Sequence, residues 1–109
     1  MTDRVNQRYA LTDEAIAAEV ARILPSLQAW AEEDAKVHPF TPLTAAEVAV
    51  RRPRAVQAKA SAALEGVLPT VAGEGLEEAF FQLRWDGDRC RRYIIQAAKN
   101  GALPSAGRE

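Results

Sequence analysis

The chain has 109 residues, which is enough for one hydrophobic core and too few for two domains. Its net charge of -1 supplies no overall attraction to nucleic acid or to a membrane surface. One cysteine and one histidine exclude an internal disulfide and a zinc site made of those residue types. The sequence has no signal peptide and no apolar run long enough to span a membrane, so we expect a cytoplasmic protein.

An apolar stripe predicts the first helix, over about 12–36. Its members follow the spacing of a helix face that packs on another helix: Ile16, Val20, Ile23, Leu27 and Trp30. Pro25 lies within the stripe, but the stripe keeps its phase across the proline, which predicts one bent helix rather than two. Thr12 precedes two acidic residues and is the expected N-cap. In the proline-bounded loop that follows, His38 is expected to be exposed and Phe40 to contact the core.

The second helix is predicted to begin at Thr44. Thr44 and Glu47 have the spacing of a capping box, in which each side chain bonds to the backbone of the other residue. Pro53 interrupts this helix, and proline is favoured as the first residue of a helix, so a break near Arg52 is expected. The apolar run resumes at Val56.

The last third of the sequence allows two interpretations. Asp86 and Gly87 are a hairpin-turn signal, which would make 79–95 a pair of strands. The apolar residues match the helical period better and predict helices at 75–85 and 88–100, the second capped by Asp88.

These elements predict an all-α fold. We expect a small bundle of four to five helices, in which two long kinked helices form a hairpin and two shorter helices pack across it. The single helical domain covers 12–101. A flexible N-terminal arm is expected at 1–11 and a flexible C-terminal tail at 102–109.

The function is inferred by elimination. Because no phosphate-binding glycine loop, metal-ligand cluster or activated nucleophile is evident, we expect no catalytic, cofactor-binding or metal site. Cys90 is expected to be a buried, inert thiol. The chain is instead predicted to be a non-enzymatic interaction module, such as a small accessory subunit or adaptor, that binds a protein partner or a second copy. Its candidate contact surface combines aromatic and basic residues: Phe81, Arg84, Trp85, Arg89, Arg92 and Lys99.

Basic residues also support an alternative function. Arg89, Arg92 and Lys99 share one side of the last helix, which predicts an exposed basic stripe within 84–99. Two helices joined by a short turn, the second of them basic, are compatible with a helix-turn-helix protein that binds nucleic acid. A secondary basic patch surrounds Pro53 and consists of Arg51, Arg52 and Arg54. The acidic run at 32–34 is expected to be a solvated helix face.

Overall fold

The computed structural model describes residues 11–101, which form four α-helices and no strand. The helices are α1 (Asp13–Val37), α2 (Ala45–Leu64), α3 (Val71–Leu83) and α4 (Gly87–Lys99). The predicted all-α bundle is confirmed, and the strand interpretation of 79–95 is wrong. Apart from Leu11, the predicted arm and tail lie outside the described residues. None of the four helices is long and apolar enough to cross a membrane.

The predicted course of α1 through its proline is confirmed. Pro25 lies inside a continuous helix, and its exposed ring faces solvent. Val20 and Leu27, on either side of it, are buried on the same face, and Ile23 packs against them as a half-buried residue. Thr12 is the N-cap, since its hydroxyl accepts a hydrogen bond from the amide of Ala15 at 3.0 Å.

The predicted start of α2 is also confirmed. The hydroxyl of Thr44 accepts a hydrogen bond from the amide of Glu47 at 3.1 Å, and the Glu47 carboxylate accepts one from the amide of Thr44 at 2.8 Å. These bonds satisfy two backbone donors that a helix start leaves free. They also lower the pKa of Glu47, because they favour its ionised form.

The predicted break near Arg52 is wrong. Pro53 lies within α2, which continues from Ala45 to Leu64. Proline costs a helix the hydrogen bond to the carbonyl four residues earlier, here that of Ala49. Both Ala49 and Pro53 are exposed, so water can bond the freed carbonyl and no packed side chain meets the ring. Residues of high helix propensity on both sides favour continuation.

The boundaries of α3 and α4 differ from the prediction. Thr70 caps α3 by accepting a hydrogen bond from the amide of Gly73, so this helix begins at Val71 rather than 75. It ends at Leu83, where Arg84 adopts the left-handed conformation with φ 57°. Asp86, not Asp88, caps α4: it accepts a hydrogen bond from the amide of Arg89 at 2.9 Å. Helix α4 therefore begins at Gly87, directly after Asp86, one residue earlier than predicted.

The closest helix pair is α1 and α3, rather than the predicted hairpin of α1 and α2. Small residues explain why α1 and α3 lie so close, because Gly75 and Ala79 of α3 are buried and let the two helix backbones approach each other. Leu27 and Trp85 are buried in the same core. The two long helices, α1 and α2, are instead separated by a cleft that α3 also lines.

Gly75→Ala is expected to lower the free energy of unfolding by about 1–3 kcal/mol, as overpacking of a tight contact does. A methyl group at position 75 would lie 2.8 Å from Cβ of Glu19 and would also collide with its Cγ. Gly87→Ala is the matched control, because no atom lies within 4 Å of its added methyl group. Urea denaturation of both variants measures the difference, and equal stabilities would contradict the close approach of α1 and α3.

Candidate functional site

The aromatic residues meet in the core rather than on a surface. The ring of Trp85 stacks on Phe80 at a centroid distance of 5.2 Å and lies 5.5 Å from Trp30, while Tyr93 contacts all three rings edge-on. Trp85 is only 4% exposed, so its place on the predicted contact surface, beside Phe81, is wrong. The left-handed residue that ends α3 turns the chain back, and the amide of Trp85 then donates to the carbonyl of Phe80.

Arg89 is also buried, with 3% of its surface exposed. Its guanidinium lies 3.7 Å from the ring centre of Phe40, which confirms that the loop after α1 contacts the core, and 5.5 Å from that of Trp85. Its Nε is 3.3 Å from Oδ2 of Asp34, an ion-pair distance without a hydrogen bond. Arg89 therefore does not belong to an exposed basic stripe.

Asp34 binds Arg92, the second arginine of the predicted stripe. Arg92 donates two hydrogen bonds to its carboxylate, at 3.0 and 2.8 Å, and so links α4 to α1. The Asp34 side chain is 6% exposed, which corrects the expectation that the run at 32–34 is solvated. The bonds from Arg92 lower the pKa of Asp34, outweighing the effect of its burial. This cluster contains two guanidinium groups and one carboxylate, and it fixes the position of α4.

The other predicted site residues are Phe81, which is half-buried, and a set of exposed basic residues. Phe81 is half-buried and lies under the guanidinium of Arg52, 4.8 Å from its ring centre, so the primary and secondary candidate patches touch at this point. The remaining basic residues are exposed and have no carboxylate within ion-pair distance among residues 11–101: Arg51, Arg54, Arg84 and Lys99. The six residues of the predicted aromatic–arginine surface are thus divided between the core and the exterior.

Neither Cys90 nor His38 shows features of a reactive group. Burial raises the pKa of the Cys90 thiol to about 11, so the thiol is protonated at neutral pH and is a poor nucleophile. This environment agrees with the predicted inert thiol. His38 is exposed at the C-terminal end of α1, as expected for a loop histidine.

Helix α2 directs charged residues toward the body of the protein. Arg52 bonds Glu78 of α3 at 2.7 and 3.2 Å, and Lys59 bonds Glu74 and Glu77 at 2.8 and 2.6 Å. Partial burial lowers the pKa of Lys59, but the bonds to the two glutamates outweigh this effect and the pKa is raised. These residues line part of a cleft of about 470 Å³ between α1, α2 and α3.

The opposite side of α2 is uncharged and faces solvent. Its residues are all exposed, and we call them the outer face of α2: Ala46, Ala49, Val50, Pro53, Val56, Gln57, Ala60, Ala63 and Leu64. Val56, at one edge of this face, also lines the cleft. At 3.6 residues per turn they cover about 160° of the helix circumference. Val50, Val56 and Leu64 are 54%, 62% and 90% exposed. Helices of globular proteins normally bury their apolar stripe, whereas α2 leaves this one exposed and buries only Val48 on its inward side.

Comparisons with protein families, with curated proteins and with solved structures find no match to this chain. A functional assignment must therefore come from its own residues.

Proposed function

We propose that this chain is a non-enzymatic protein-interaction module, a small accessory subunit or adaptor, that binds a protein partner through the outer face of α2. One observation carries the proposal: the apolar side of α2 is exposed while Arg52 and Lys59 face inward. Among the described residues, only Val56 of the outer face borders the cleft between α1, α2 and α3.

The size of the surface supports this proposal. A 20-residue helix is about 30 Å long and about 10 Å across, so a sector of about 160° has an area of about 400 Å². Contiguous apolar patches of this size on a monomer are often functional, because leaving them in water is unfavourable.

The burial of Trp85 and Arg89 moves the proposed contact away from the surface predicted from the sequence. The nucleic-acid alternative also loses support, because the predicted stripe on α4 does not present its cations together at the surface for phosphate binding. Arg89 is buried and Arg92 is bonded to Asp34, which leaves Lys99 from the predicted stripe. We therefore do not propose nucleic-acid binding.

A pair of alanine-to-glutamate substitutions tests the proposal. Ala60 lies on the outer face of α2, and Ala21 is an exposed alanine in the middle of α1. Each substitution is expected to change the free energy of unfolding by less than about 0.5 kcal/mol, as exposed substitutions usually do. When the tagged full-length chain is purified from its native host, Ala60→Glu should lose a partner that the wild type and Ala21→Glu retain. Retention of the same partners by Ala60→Glu would contradict the role of α2.

A further inference from the structure

We propose that the cleft between α1, α2 and α3 binds the chain's own N-terminal segment, which we define as residues 1–10. The proposal goes beyond the proposed function, because it concerns the inner side of α2 rather than its outer face. The position of the cleft, its charge and its apolar wall all favour this occupant.

The N-terminal segment joins the described fold beside the cleft. Helix α1 begins at Asp13, which lines the cleft together with Ile16 and Ala17 from the same end of the helix. Ten residues can span about 33–36 Å when extended. The part of α2 that lines the cleft, 52–59, is about 12 Å long at 1.5 Å per residue. The segment is therefore long enough to cross the cleft from its attachment at α1.

The cleft carries an excess of negative charge. Four carboxylates and two cations line it, for a net charge of -2: Asp13, Glu74, Glu77, Glu78, Arg52 and Lys59. Lys59 bonds both Glu74 and Glu77, so one positive charge faces two negative ones, whereas Arg52 and Glu78 form a matched pair. Asp13 has no ion pair among residues 11–101. Two negative charges are therefore unmatched within the described residues.

The N-terminal segment contains two arginines that can match these charges. Arg4 and Arg8 outweigh its one acidic residue, Asp3, so its net charge is +1. One carboxylate accepts several hydrogen bonds, so a glutamate that already bonds Lys59 can also accept a charge-assisted bond from a guanidinium. Residues 102–109 contain one arginine and one glutamate and are neutral overall. Charge therefore favours the N-terminal segment over the other end of the chain.

The apolar wall of the cleft favours the same segment. Its members come from all three helices: Ile16, Ala17, Ala55, Val56 and Phe81. In the segment, Val5 follows Arg4 directly and Tyr9 follows Arg8, so an apolar or aromatic residue stands next to each cation. Covering the wall with these side chains removes apolar surface from water, which is favourable. A cation without an apolar body would leave that wall in water.

Nuclear Overhauser effects in the full-length chain test the proposal. In the wild type we expect cross-peaks between the ring protons of Tyr9 and the methyl protons of Val56. Arg8→Glu should abolish them, because it replaces a cation with a further carboxylate. Arg84→Glu is the matched control, since Arg84 is exposed and does not line the cleft, and it should retain them. Cross-peaks between the core rings of Trp30 and Tyr93 should persist in both variants, which shows that both fold.

A mixture of isotope-labelled and unlabelled chains identifies the source of the bound segment. Cross-peaks from Tyr9 to Val56 that arise only between two copies would show exchange of the segment and would overturn the intramolecular contact. Cross-peaks that survive Arg8→Glu would overturn the charge pairing. No cross-peak from Tyr9 to Val56 or Phe81 in the wild type would overturn the proposal. None of these outcomes changes the test of the outer face of α2, which depends on Ala60→Glu.

Discussion

Replacing Asp34 with alanine should lower the free energy of unfolding by about 3–5 kcal/mol, because it leaves Arg89 buried without an opposing charge. Glu33→Ala is the matched control on the same helix. Glu33 is exposed and pairs only with Lys36, three residues away, so its removal should cost less than about 0.5 kcal/mol. Urea denaturation at neutral pH compares the two variants. Similar losses for both would show that the buried cluster does not stabilise the fold.

The effect of Asp34→Ala should depend on pH. The native pKa of Asp34 lies below its ordinary value because Arg92 bonds its ionised form. The stabilisation is therefore complete above the unfolded pKa, about 3.9, and is lost as the pH falls through the native pKa. The stability difference between the wild type and Asp34→Ala should narrow over that acidic range. A difference that stays constant as the pH falls would contradict the assigned ion pair.

Leu27→Ala should lower the free energy of unfolding by about 2–5 kcal/mol, since it removes a fully buried side chain and leaves a cavity between α1 and its neighbours. Leu64→Ala is the same substitution at a residue that is 90% exposed, and it should change stability by less than about 0.5 kcal/mol. Thermal or urea unfolding measures both. A loss at position 64 as large as that at position 27 would mean that the outer face of α2 is covered in the folded protein.

The predictions that succeeded depend on residues close together in the sequence. The caps at Thr12 and Thr44 each involve residues three positions apart, and the apolar stripe of α1 repeats every turn. Such patterns predicted where the long helices begin and why α1 continues through Pro25. The course of α2 through Pro53 could not be predicted in this way, because it depends on whether the freed carbonyl reaches water.

The predictions that failed at the candidate site depend on residues far apart in the sequence. Arg92 and Asp34 are 58 positions apart, and nothing local distinguishes Asp34 from the exposed glutamates beside it. The inward placement of Arg52 and Lys59 on α2 has the same origin. Arg52 and Lys59 are seven residues apart and share a face, as do the glutamates of α3 that bind them, but only the docking of α2 on α3 shows that these faces meet.

The location of the tryptophans has a consequence for spectroscopy. Both tryptophans of the chain, Trp30 and Trp85, lie in the aromatic cluster formed by α1, α3, α4 and the turn before α4. Their fluorescence therefore follows the unpacking of that cluster, and neither tryptophan lies on α2. Helix α2 contributes 20 residues to the far-ultraviolet circular dichroism and is joined to α3 by ion pairs that salt weakens. If α2 unfolds first once salt has weakened these pairs, the dichroism should fall before the tryptophan emission changes.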